Sequence, residues 1–71
     1  MKILSPSIRF KDKELGILLD VCGETYDEAI KEIEREGYKD SYDEWHEEGY
    51  QVMFNGAIQF MPRETVFAAM G

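Results

Sequence analysis

The spacing of apolar positions along the chain changes several times, and each change marks an element. Residues 2–10 read as a strand, interrupted or bent at Pro6, which has no amide proton to give a ladder. After the polar turn Lys11-Asp12-Lys13, residues 14–21 alternate. Leu15, Ile17, Leu19 and Val21 share one face, and Gly16, Leu18 and Asp20 the other, the two-residue period of a strand. These two runs predict a first hairpin. From Tyr26 the period lengthens: Tyr26, Ala29, Ile30 and Ile33 form the stripe of a half-buried helix. Thr25 and Glu28 bracket its start as a capping box, and Asp27 and Glu28 suit the positive end of its dipole. Gly37 is placed to end it in a left-handed conformation.

Ser41-Tyr42-Asp43-Glu44 repeats the capping pattern and predicts a short second helix from Tyr42 to Glu48, ending at Gly49. So short a helix is marginal alone, and packing through Tyr42 and Trp45 has to hold it. Two apolar runs, Tyr50–Phe54 and Ala57–Met61, flank Asn55-Gly56, the strongest short-range hairpin signal. Pro62 stops the second run and opens a terminal helix containing Val66, Phe67 and Met70. The order is β-β-α-α-β-β-α. The expected class is α+β, a small antiparallel sheet of two hairpins with helices packed on one face. In the second hairpin one face carries Tyr50, Val52, Phe54, Ala57 and Met61, and the other Met53, Ile58 and Phe60. A solvated face alternates to polar residues, so each of these faces calls for a cover. The terminal helix or a second copy of the chain would supply it, with Met53, Ile58 and Phe60 as the contact of a homo-dimer.

Length and composition narrow the chemistry. The 71 residues make a single domain, residues 1–71. A chain this small hides only about 60 % of its unfolded surface, so its stability margin is thin. Cys22 is the only cysteine, which excludes an intrachain disulfide. With one His it cannot build the usual structural zinc site, and no cofactor is expected. The start, MKILSPSIRF, lacks the apolar run of a signal peptide, and no stretch is long and apolar enough for a membrane span. The expectation is a cytoplasmic protein with no membrane contact.

Charge then changes the picture. Twelve of the fifteen acidic residues lie between Asp20 and Glu48, against only Lys31, Arg35 and Lys39. At a net charge of −7 the chain repels a phosphate backbone, which argues against direct nucleic-acid binding. The same charge attracts proteins whose own task is to bind nucleic acid. Within Tyr38–Tyr50 five acids are interleaved with four aromatics and one His. Asp43, His46 and Glu47 would share one face of the expected helix, but the run lacks the alternating acids and central Gly of a calcium loop. Cys22 and His46 carry no nucleophile signature, and a chain this short has little room for an enzyme's concave pocket. Recognition remains: Tyr and Trp among charges are typical interface anchors.

Residues 23–30, Gly-Glu-Thr-Tyr-Asp-Glu-Ala-Ile, resemble the helix start of many small α/β domains, antitoxin domains of the HicB type among them. Capping chemistry accounts for those eight residues, and they define no family. In kind, being short, acidic and poor in cysteine, the chain resembles the inhibitors phages use against host defences, such as anti-CRISPR and anti-restriction proteins. The functional expectation is therefore non-enzymatic: a protein-binding inhibitor or modulator that mimics nucleic acid toward a basic nucleic-acid-binding partner. Glu32, Glu36, Asp40, Asp43, Glu44, Glu47 and Glu48 would stand in for phosphates, with Tyr42 and Trp45 as anchors. The alternative is an accessory or assembly subunit that oligomerises through its apolar C-terminal hairpin, with the acids serving solubility.

Overall fold

A computed structural model describes all 71 residues. The elements are β1 (Lys2–Lys11), β2 (Leu18–Cys22), α1 (Tyr26–Arg35), α2 (Lys39–Glu44), β3 (His46–Phe54), β4 (Ala57–Pro62) and α3 (Arg63–Met70). One antiparallel sheet of four strands, in the order β2-β1-β3-β4, carries all three helices on one face. The α+β class and the element order are those the sequence predicts. No helix is long and apolar enough to cross a membrane.

The helix face is built from alternating strand positions. Ile8 and Phe10 of β1 are fully buried against Ala29 and Ile33 of α1. Leu19, Val21, Tyr26, Ile30, Tyr38 and Tyr42 surround them. At the far end of the same face α3 brings Val66, fully buried like Val52 of β3. The Phe67 ring lies edge-on to Tyr50 at 6.4 Å, and Tyr50 lies 6.0 Å from Tyr26, so one aromatic row ties α3, β3 and α1 together. The Thr25 hydroxyl accepts the Glu28 amide at 3.2 Å and caps α1 as expected, while the Glu28 carboxylate makes no return bond to the Thr25 amide, so half of the capping box forms. Gly37, at φ +86°, ends the helix, and the Tyr38 amide returns to the Ile33 carbonyl at 2.9 Å. Asn55 and Gly56 both take positive φ, 52° and 78°, as a two-residue hairpin turn requires.

Three local expectations are corrected. First, β1 runs unbroken through Pro6. The Pro6 carbonyl accepts the Gly23 amide at 3.1 Å on the side where β2 has already ended, with Cys22 opposite Ser7 as its last rung. The missing proton points to that same side and costs no ladder bond. The distortion lies earlier: the β1–β3 register slips between Ile3 and Ser5, leaving Leu4 as the extra residue of a bulge. Second, Leu15 and Ile17 do not join β2 but stay exposed in its preceding turn. There the Asp12 carboxylate accepts the Leu15 amide at 2.6 Å, and the Asp12 amide donates to the Ile17 carbonyl at 2.9 Å.

Third, the second helix begins and ends earlier than its capping pattern suggests. Ser41 is not a cap but a buried residue inside α2, whose hydroxyl accepts the Lys13 amide at 3.3 Å. Trp45 is already extended, at φ −161° and ψ 133°, and His46, Glu47 and Glu48 pair with Phe10, Arg9 and Ile8 as the start of β3. A further helical turn would gain few bonds at the end of so short a helix, whereas the extended backbone completes the ladder of a central strand. Within the chain, α3 covers one face of the second hairpin, as expected for the terminal helix. The terminal helix takes the Tyr50 and Val52 side; the face of Met53 and Ile58 has no element over it.

Candidate functional site

The acidic residues collect on the helix layer. Between Glu24 and Glu44 nine carboxylates face three cations, Lys31, Arg35 and Lys39. Glu32 pairs with Arg35, Asp43 with Lys39 at 2.6 Å, and Glu44 with Lys13 at 3.4 Å. The hydrogen bond to Asp43 holds the Lys39 ammonium above its ordinary pKa. Glu24, Asp27, Glu28, Glu34, Glu36 and Asp40 are exposed and have no ion-pair partner. Surface pairs are screened and worth no more than about 1 kcal/mol each, so they leave the layer strongly negative. Glu36 and Asp40 stand at the corner between α1 and α2, beside Asp12 and Glu14, around a shallow polar cleft.

The residues nominated from the sequence divide between two surfaces. Glu32 on α1, Glu36 at its end, and Asp40, Asp43 and Glu44 on α2 belong to the helix layer. Tyr42 lies under them, half-buried against the core, with its ring stacked on His46 at 4.1 Å. Burial raises the Tyr42 phenol pKa, and its ring bridges α2 to His46 at the start of β3. Because 46–48 is a strand, Glu47 and Glu48 point to opposite faces. Glu48 turns to the helix side and meets Arg63 at 3.1 Å. Glu47 turns to the open face beside Arg9. Trp45 lines a shallow cleft with Lys11 and Leu18, both residues of that open face. The helix expected from Tyr42 to Glu48, with its continuous acidic face, therefore does not form.

The open face has its own organisation. Arg9 donates to both carboxylate oxygens of Asp20, at 2.7 and 3.2 Å, which together with the neighbouring Glu47 holds the guanidinium above its ordinary pKa. The same guanidinium lies 4.4 Å over the Phe60 ring. The ring in turn rests on Gly49, where an added Cβ would stand 2.6 Å from its Cζ. Phe60 is thus buried within its own chain, whereas Met53 and Ile58, paired across β3 and β4 on the same face, remain exposed. Arg9 escapes a sequence reading because an isolated Arg in a strand carries no signal. Asp12 escapes because the alternating pattern predicts strand where its turn stands.

The metal and catalytic alternatives find no assembled geometry. Asp43 is on α2, His46 on the helix face of β3 and Glu47 on the open face, and no three His, Cys, Asp or Glu side chains are grouped to hold a metal ion. Cys22 lies on the open face opposite Ser7, on the other side of the sheet from His46. A thiol and an imidazole separated by the sheet cannot form a nucleophile–base pair.

Compared with protein-family models, with curated proteins and with solved structures, the chain matches none.

Proposed function

We propose that this chain is a protein-binding module that presents its acidic helix layer to the basic groove of a nucleic-acid-binding partner, as a nucleic-acid mimic that inhibits or modulates it. The observation that carries this reading is the segregation of charge by layer. The segment Glu24–Glu44 that builds α1 and α2 holds nine carboxylates against Lys31, Arg35 and Lys39, with Lys13 beside α2 as the partner of Glu44, while the open sheet face holds Lys2, Arg9 and Lys11 against Asp20 and Glu47. A field of one sign on one side steers association with an oppositely charged groove and makes the on-rate fall with salt. The six unpaired carboxylates are the strongest phosphate stand-ins, with Glu34, Glu36 and Asp40 toward the corner between α1 and α2.

The test is a capture experiment with the purified chain and the variant Glu34→Lys/Glu36→Lys/Asp40→Lys, which breaks no ion pair of the fold. Mimicry requires that the wild-type chain retain nucleic-acid-binding proteins, that duplex DNA or RNA displace them at constant ionic strength, and that the folded variant retain none. Equal retention by the folded variant ends this reading. The second reading, an accessory subunit that assembles through its C-terminal hairpin, rests on the exposed Met53 and Ile58. It predicts retention that barely changes with salt.

A further inference from the structure

We propose that the cleft at the end of the sheet, between Lys11 and Trp45, is a binding site for a small aromatic carboxylate. It is lined by Lys11, Leu18, Ser41, Glu44 and Trp45. None of the six unpaired carboxylates is among them, so the site does not depend on the mimicry. Lys11 ends β1 and Leu18 opens β2, directly opposite each other in the ladder. Ser41 and Glu44 belong to α2, and Trp45 is where the chain turns from α2 into β3. The cleft holds about 390 Å³, within the range of small-molecule sites, roughly 300–1,000 Å³. Leu18 and Trp45 remain 52 and 46 % exposed, so two large apolar side chains face one hollow that the chain itself does not fill.

The polar groups of the lining select the charge of the ligand. Lys11 makes no ion pair. Glu44, the one acid of the lining, is engaged by Lys13 at 3.4 Å. The unpaired Glu36 and Asp40 border the polar cleft with Asp12 and Glu14 instead. In a chain of net charge −7 this hollow therefore keeps a cation without a partner, and the complement to it is an anion. Ser41 adds a second donor. It is only 7 % exposed, its oxygen accepts the Lys13 amide at 3.3 Å, and its own proton goes to no protein acceptor. A hydroxyl so deeply buried has a donor still to place, and a carboxylate accepts from it and from Lys11 together.

The walls select the rest of the molecule. Beyond the two donors they are the Trp45 indole and the Leu18 side chain, which suit a flat apolar body and offer a sugar or a phosphate ester few partners. A carboxylate held by Lys11 and Ser41 lays its ring against the indole and covers Leu18. Bound there, the ligand joins the ends of β1 and β2 to α2, the shortest helix of the fold. At the efficiency of ordinary small ligands, a body of about 11 non-hydrogen atoms gives a dissociation constant of roughly 1–10 mM in so open a cleft.

The experiment is a heteronuclear NMR titration of the purified full chain with 3-phenylpropionate, to about 30 mM at constant ionic strength. Trp45 is the single tryptophan, so its indole N–H signal reports the cleft directly. The expected result is that this signal, the Leu18 methyl signals and the Lys13 amide shift together on one saturating curve. 3-Phenylpropylamine has the same apolar body and the opposite charge, and it should bind roughly tenfold more weakly. Lys11→Met keeps the apolar stem and removes the charge. It should weaken binding of the acid by roughly fivefold and leave the amine no weaker. Shifts that rise linearly to the highest concentration, or that scatter over the surface away from the cleft, would overturn the proposal. So would equal binding of the amine and the acid, or a folded Lys11→Met variant that binds the acid as the wild-type chain does.

Discussion

Gly49 shows how one residue can set the shape of a surface. It stands in the middle of β3 opposite Ser7 and Pro62, and the Phe60 ring lies where its side chain would be. A methyl group there meets both the ring and the Met61 carbonyl, which is backbone and cannot rotate away. Gly49→Ala should cost about 1–3 kcal/mol, lowering the melting midpoint by roughly 10 °C in a thermal unfolding curve. Tyr26 makes a different local prediction. Its hydroxyl donates to the Gly49 carbonyl at 2.8 Å, and burial first, then its interaction with Tyr50, pushes its pKa above the ordinary 10.0. The folded chain therefore keeps a proton that the unfolded chain loses near pH 10, so this contribution to stability is complete below pH 10 and declines as pH rises above it. Tyr26→Phe should lose about 1 kcal/mol at neutral pH with the hydrogen bond, yet show a shallower alkaline decline in chemical denaturation. Tyr42, raised in the same direction by burial, keeps the remaining slope from vanishing.

At the scale of elements, most of the architecture was legible because it rests on local chemistry. The change from a two-residue to a helical period at Tyr26, the Thr25 cap and the Asn55-Gly56 turn each specify their own backbone, and each occurs as expected. The misreadings share one cause, a tertiary partner outweighing a local pattern. Ser41 resembles a cap, yet its hydroxyl is used by the Lys13 amide. Residues 46–48 have helical neighbours and acidic composition, yet β1 offers them a ladder, and the sequence does not reveal that β1 pairs with β3 rather than only with β2. That single pairing moves Glu47 and Trp45 from the acidic surface to the open face. The helix-layer half of the candidate site was therefore readable from charge, and the open-face half was not. Carbon chemical shifts of His46, Glu47 and Glu48 should be strand-like, and the Lys13 amide should exchange faster in Ser41→Ala than in the wild-type chain. Helical shifts through Glu48 would restore the continuous acidic helix.

For the whole molecule the decisive feature is that the acidic charge gathers on the helix side of one sheet, while the other side is nearly balanced in charge and partly apolar. Within the helix layer the segment Glu24–Glu44 carries nine acids against three cations, and the open face carries the exposed Leu18, Trp45, Met53 and Ile58. Binding through the first surface should weaken steeply between low and high ionic strength, because screening shortens from about 30 Å at 0.01 M salt to 3 Å at 1 M. Binding through the second should change little across that range. The measurement that tests the mimicry most directly is displacement. Proteins retained by the immobilised chain at low salt are challenged with duplex DNA or RNA while ionic strength is held constant. Release of the retained proteins by nucleic acid, with nothing retained by the folded Glu34→Lys/Glu36→Lys/Asp40→Lys variant, is the expected result. Proteins that stay bound through the challenge, and bind the variant equally, would contradict it.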